Sequence, residues 1–232
     1  MSRLARIFST VLITAGLVVM VDVGLTVAYK EPVSSLYGEL KQAEAADQLT
    51  DLESQYPTAA DLAEIRGVRG LDRKAEVLAQ RFADQTAEGE AIGRILAPDM
   101  GTDAVFLEGT KTATLQKGPG HYPDTAFPGE GGTIGIAGHR TTYLAPFRNI
   151  DDMRSGDLVT LEMPYGTFTY RVQKTEIVDD SAVEIVRDVG YERLVLTACH
   201  PLYSAAQRYV AFARLSDVAI FDAARGGRFQ AN

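Results

Sequence analysis

From Ala91 onward the chain is written in short apolar runs cut by turn residues, and this texture restricts the fold more than any other feature. The runs are Ile92–Ala97, Ala104–Leu107, Thr133–Ala137, Leu158–Met163, Thr167–Val172, Thr175–Val178, Arg193–Cys199 and Tyr209–Leu215. Each has the length of a strand. Gly, Pro, Asp and Asn fill the gaps, as in the hairpin signal Met163-Pro164-Tyr165-Gly166. Many strands at close spacing with little helix between them predict a mostly β domain with short helices, closed or nearly closed into a barrel, over residues 90–218.

The sequence before this domain has a different character. Residues 7–29, from Ile7 to Tyr29, are apolar apart from Ser and Thr residues and Asp22. At ~1.5 Å per residue a helix of that length measures roughly 34 Å, enough to cross a ~30 Å hydrocarbon core. Arg3 and Arg6 precede it, which predicts a cytoplasmic N-terminus and an outward-facing remainder. The apolar region exceeds the ~7–15 residues usual for a signal peptide, and no small-x-small cleavage site follows. Residues 1–30 therefore read as a retained transmembrane anchor.

Residues 31–89 read as helix with little core of its own. Leu36, Leu40, Leu49 and Leu52 fall near one face, Pro57 interrupts the pattern, and Thr58 with Asp61 marks a new helix start. Gly67 and Gly70 end that piece, and a third helix from Asp72 to Ala87 carries the stripe Ala75, Leu78, Ala79 and Phe82. The segment is either a helical stalk or linker, or an arm packed on the next domain. Residues 219–232, with Gly226-Gly227, read as a frayed tail.

The net charge of −8 argues against nucleic acid as a partner. One cysteine in the chain, Cys199, excludes an internal disulfide and a thiolate-only zinc site. Cys199-His200 and Gly138-His139 lack close metal-ligand spacing, so no metal or cofactor is expected. A spare thiol outside the cytoplasm is prone to oxidation, which marks Cys199 either as a reactive group or as a small buried core residue.

Cys199 ends the apolar run Leu194-Val195-Leu196-Thr197-Ala198, a strand delivering one thiol to the point where a loop opens. A free thiol has a pKa near ~8.5 and needs a partner to attack at neutral pH. Three histidines compete. His200 is adjacent, and adjacent strand residues point to opposite faces. His121 sits in the loop Lys117-Gly118-Pro119-Gly120-His121-Tyr122-Pro123, as a pocket wall, a turn former or a base. His139 ends the strand Thr133–Ala137 at a junction like that of Cys199, so two strand ends of one barrel could pair a thiol with an imidazole. Arg208 opens the next strand, where its guanidinium could favour thiolate and bind an oxyanion, or be a solvated rim residue.

The order Gly-Pro-Gly-His-Tyr-Pro, then Ala-Gly-His-Arg-Thr-Thr, then Leu-Thr-Ala-Cys-His-Pro with an arginine nine residues after the cysteine, resembles the sortases, membrane-anchored cysteine transpeptidases of Gram-positive cell surfaces. The wording is most similar to class E. The resemblance covers residues 90–218 and implies a sortase-type barrel with His139, Cys199 and Arg208 as the catalytic triad. It further implies cleavage of a Thr-Gly bond in a C-terminal sorting signal, Leu-Ala-x-Thr-Gly or Leu-Pro-x-Thr-Gly, through a thioacyl enzyme. The partners implied are secreted proteins bearing that signal and a cell-wall precursor amine, or a pilin lysine in a pilus-polymerising member. A tyrosine associated with the Leu-Ala preference has Tyr122 or Tyr143 as its counterpart, and Thr197 and Ala198 join them as candidate substrate contacts. Four departures stand out. Val195 replaces a threonine at the start of the nucleophile's motif, Ala198 replaces a threonine before the nucleophile, Asp124 stands where glycine is common, and Leu144 stands where glycine often follows Thr-Thr-Tyr. The change at Ala198 keeps open a second class of function, a membrane-tethered, non-catalytic binding module.

Overall fold

Alternating apolar side chains give each strand one face that must leave water, and a barrel buries all those faces on one axis. The computed structural model describes residues 3–28, 32–221 and 230–231. The strands among them are β1 (Ala91–Ala97), β2 (Thr102–Glu108), β3 (Gly120–His121), β4 (Thr133–Ala137), β5 (Leu158–Met163), β6 (Gly166–Asp179), β7 (Arg193–His200), β8 (Gln207–Ile220) and β9 (Gln230–Ala231). They form one sheet in the order β6-β5-β1-β2-β3-β4-β7-β8-β9, and pairing of β6 with β8 closes the first eight of these into a barrel. Ile95, Phe106, Ile134, Leu161, Phe168 and Leu196 are buried together inside it.

Most neighbours run antiparallel, but β2 with β3 and β4 with β7 are parallel, and in the second pair Ala137 lies opposite Thr197 at the end of the register. That pair puts two loops on one rim.

Three differences from the sequence expectation have local causes. The runs at Thr167–Val172 and Thr175–Val178 are one long strand, β6, in which a register shift between Val172 and Lys174 absorbs the polar interruption. β3 is a two-residue strand in the glycine- and proline-rich loop, paired to β2 through Leu107↔Gly120 and to β4 through Gly120↔Ala137. β8 runs on to Ile220, beyond the expected domain edge at 218, and Ala219 and Ile220 pair with β9. The tail glycines Gly226-Gly227 lie outside the described residues.

Helix α1 (Arg3–Ala28) leaves Ile7, Phe8, Leu12, Leu17 and Val18 exposed, and Arg3–Gly24 is long and apolar enough to cross a membrane. Tyr29, the expected end of that span, lies outside the described residues. Helices α2 (Pro32–Gln55), α3 (Ala59–Ile65) and α4 (Leu71–Gln85) follow. The Thr58–Asp61 capping box starts α3, and Gly70, at φ 88°, takes the left-handed turn that starts α4. α4 lays Ala75, Leu78, Ala79 and Phe82 into the barrel core beside Tyr56, Phe127 and Tyr165. Along α2, Ala45 and Leu49 pack on Ala91 and Val105, whereas Leu36 and Leu40 are exposed. The helical segment folds back on the barrel because its apolar stripe has nowhere else to be buried. A fifth helix, α5 (Thr112–Leu115), is a single turn between β2 and β3.

If α4 is part of the folding unit, Leu78→Ala should cost about 2–5 kcal/mol in denaturant titration. Leu36→Ala, on an exposed face, should stay within about 0.5 kcal/mol of the native chain.

Candidate active site

The strand registers assemble the rim. Ala137 faces Thr197 in the parallel pair, the Gly138 N–H donates to the Thr197 carbonyl at 3.0 Å, and His139 and Cys199 each follow by two residues. On the other side of β7, Cys199 is the direct antiparallel partner of Arg208. Directly opposed residues of such a pair hold their Cβ atoms about 5 Å apart. Cys199 and Arg208 thus stand level on β7 and β8, and His139 lies just past the end of β4, the neighbour of β7 on its other side.

Cys199 and Arg208 also share a face. Leu194, Leu196 and Ala198 point into the barrel core, while Val195 packs outside it with Val210 and Phe212. The alternation puts Thr197, Cys199 and Arg208 on this outer face. Cys199 is partly exposed. The Arg208 guanidinium donates to the carbonyls of Ala205 (2.8 Å) and Gln207 (3.0 Å), which orients it, and no carboxylate among the described residues pairs with it. The same alternation corrects one expectation. Ala198 does not face the groove, because its methyl is 2% exposed and sits in the barrel core.

His139 is half-buried. Its Nε2 is buried without a hydrogen-bond partner among the described residues, and burial holds the imidazole pKa below its ordinary 6.5. Beneath it Gly138 is required, since a Cβ there would lie 2.5 Å from the Phe147 ring. The Phe147 N–H donates back to the His139 carbonyl at 3.0 Å, closing the loop over residues 139–147. The Tyr143 ring lies 5.3 Å from the imidazole, centre to centre, and the Tyr143 hydroxyl accepts from Gln116 Nε2 at 3.1 Å.

Tyr122 stands on the outer face of the same sheet. Its hydroxyl is 2.8 Å from Thr197 Oγ1, and its ring crosses β4 at Gly135, where a Cβ would lie 2.6 Å from Tyr122 Cδ2. His121 anchors this loop from below. It is fully buried, with Nδ1 2.7 Å from Glu108 Oε2 and Nε2 3.0 Å from both the Ala126 carbonyl and Thr125 Oγ1. Its place is therefore structural, away from the thiol. A cavity of about 310 Å³ opens beside Tyr122, lined by Pro123, Asp124, Ala182, Val183, Ile185 and Val186 among others.

Two residues on the opposite side fix the end of β7. His200 turns away from the thiol, with Nδ1 3.0 Å from Arg140 Nη1 and its ring 5.9 Å from that of Tyr209. Arg140 is 2% exposed. It pairs with Asp151 at 2.5 Å and donates to the Arg148 carbonyl at 3.2 Å. Partial burial pushes the Asp151 carboxyl up, but the hydrogen bond and charge of Arg140 outweigh it and hold the group below the ordinary carboxylate value. Sequence reasoning assigned Arg140 no role. The signal was its place directly after His139, but arginine is read by default as a surface residue.

The sequence profile of the sortase domain matches residues 95–216. Sortase D of Bacillus subtilis is 36% identical over 130 residues, covering 54% of this chain and 64% of its own length. The match therefore spans a little under two thirds of that relative. Sortase SrtE2 of Streptomyces coelicolor is 25% identical over 230 residues, 92% of this chain and 83% of that protein. Among solved structures, sortase E of Streptomyces avermitilis superposes with a TM-score of 0.53 at 31% identity, covering 61% of this chain and 96% of that one. A Clostridium perfringens Sortase D5 transpeptidase shares the fold, with a TM-score of 0.60 at 21% identity over 76% of this chain and 98% of that one.

The buried imidazole makes a testable statement about protons. Because the folded chain holds His139 neutral more readily than the unfolded chain does, stability is lost as pH falls below the ordinary 6.5. An NMR titration should find the His139 midpoint below that value, and His139→Gln should flatten part of the acid-side loss of stability. A midpoint at or above 6.5 contradicts the geometry.

Proposed function

Because the chain belongs to the sortase family, a group of cysteine transpeptidases, we propose that it cleaves a Thr-Gly bond in a C-terminal sorting signal of a secreted protein and transfers the threonine to an amine of the cell-wall precursor. The observation that supports this reading is the pairing of Cys199 with Arg208 across β7 and β8, with His139 two residues past the β4 end that lies beside Thr197.

The chemistry proposed follows from those positions. Cys199 Sγ adds to the threonine carbonyl carbon while its proton passes to His139. The Arg208 fork faces the oxygen that gains charge, where a fixed cation acts without reorganisation. The C–N bond then breaks, and the leaving glycine amine takes the proton from His139. An acceptor amine attacks the thioacyl carbon and gives a proton to the imidazole; the C–S bond then breaks, and the departing sulfur takes that proton back as the thiol. A group with a depressed imidazole pKa begins this cycle neutral, as a general base must.

Tyr122 and Thr197 on one flank and Tyr143 on the other are proposed as substrate contacts. The cavity beside Tyr122, with Val183, Ile185 and Val186 in its wall, suits the aliphatic first residue of a Leu-Ala-x-Thr-Gly or Leu-Pro-x-Thr-Gly signal. Relatives named sortase D and sortase E both match, so class E is retained as a proposal resting on the Cys-His-Pro and Gly-His-Arg-Thr-Thr-Tyr wording. The proposed placement is a single-pass anchor with the N-terminus inside and the barrel outside. The binding-module alternative rested on Ala198, and a side chain directed into the core no longer favours it.

Incubation with both peptides, with and without triglycine, should give cleavage and a triglycine adduct by mass spectrometry. Cys199→Ala should abolish both products, and His139→Ala should lower kcat/KM by roughly 10²–10⁴-fold. Arg208→Lys should also be damaging, because an ammonium cannot reproduce the fork. His200→Ala should stay within a few-fold of the native chain. Activity retained in Cys199→Ala would end this reading.

A further inference from the structure

The turn beside His139 is held in a conformation that its own residues disfavour. Tyr143, Leu144 and Ala145 have φ of 49°, 67° and 46°, three consecutive left-handed residues, none of them glycine. L-residues adopt this region singly and at a cost, so three in a row persist only when neighbouring structure imposes them.

The neighbour is α2. Gly38 lies so close to the turn that a Cβ there would be 2.9 Å from Leu144 Cγ and 3.1 Å from the Tyr143 carbonyl carbon. The Tyr143 N–H donates to Ser34 Oγ at 3.4 Å, and the Tyr37 ring meets the Tyr143 ring edge-on at 6.0 Å. Four residues past Gly38, Gln42 pins the helix to the barrel. Its amide oxygen accepts the Val105 N–H at 2.8 Å, and its nitrogen donates to the carbonyls of Val105 (2.9 Å) and Lys117 (2.8 Å). Gln42 can come this near because residue 118 is glycine, where a Cβ would sit 2.2 Å from Gln42 Nε2. The turn so held carries the Tyr143 ring that lies against the His139 imidazole.

The geometry points to α2, the helix that follows the membrane-spanning segment, as a positioning element of the active site: through Ser34, Tyr37 and Gly38 it holds the Tyr143–Ala145 turn and thereby sets the orientation of His139. The inference rests on the reading of His139 as the partner of Cys199. It gives Tyr143, proposed above as a substrate contact, a second role, in which its ring braces the imidazole.

The test uses the full-length chain in detergent, with cleavage of a sorting-signal peptide as readout. Gly38→Leu wedges the helix off the turn, and Tyr37→Ala removes the edge contact without adding bulk. Leucine favours helix over glycine, so a loss in Gly38→Leu is not the unravelling of α2. Both variants should lose at least tenfold in kcat, and their kcat/KM pH profiles should shift on the acid limb that reports the imidazole. Leu40→Ala, on the exposed face of the same helix, should behave as the native chain. A merely structural role would instead lower thermal stability while leaving the pH profile in place. If His139→Ala is inactive while Gly38→Leu and Tyr37→Ala keep the native kcat and profile, the positioning role is overturned and the catalytic assignment stands. If His139→Ala is itself active, the catalytic assignment fails and the inference falls with it.

Discussion

The site depends on one pairing, the parallel alignment of β4 and β7. Antiparallel neighbours joined by a short hairpin send their loops to alternate ends of a barrel, so they rarely bring two strand ends to one rim. A parallel pair does so by construction, and the register Ala137↔Thr197 fixes the level at which His139 and Cys199 emerge. β8 then returns antiparallel along the other side of β7 and brings Arg208 opposite the cysteine. His139 is far in the chain from Cys199 and Arg208, and the β4–β7 ladder brings its loop to their rim. A shift of β7 by one residue would turn the thiol toward the core and expose Ala198.

Close approach supplies the rest, and glycine makes it possible. Gly138 leaves room for Phe147 under His139, and Gly135 lets the Tyr122 ring lie across β4 to reach Thr197. Buried polar groups then lock the surrounding loops. His121 with Glu108 holds the segment that carries Tyr122, and Arg140 with Asp151 holds the end of β7. Buried ionic and polar groups of this kind are costly unless each is paired, which is why they sit beside the elements whose positions matter.

Much of this was legible in the residues. Strand-length apolar runs marked six of the eight barrel strands nearly in place and gave the two halves of β6. The stripe Ala75, Leu78, Ala79 and Phe82 marked the face of α4 that meets the core. The three candidate catalytic residues followed from the order of motifs. What was not legible has physical reasons. β3 is a glycine and a histidine, with no apolar run to announce it. Ala198 looked like a contact beside the thiol because sequence adjacency hides the reversal of faces along a strand. Arg140 is charged, and only its partners explain its burial. The turn at Tyr143–Ala145 could not be foreseen, since its left-handed backbone is imposed by a helix about a hundred residues earlier in the chain.

The central claim is that imidazole, sulfur and guanidinium act on one another across three strand ends. The rate at which iodoacetamide alkylates Cys199, followed from acid to alkaline pH in the native chain and in His139→Ala and Arg208→Gln, tests it without any substrate. Mutual contact predicts that removing either group displaces the profile, with slower alkylation at neutral pH when the guanidinium is lost. Three superimposable profiles would show a thiol indifferent to both neighbours and would contradict the account.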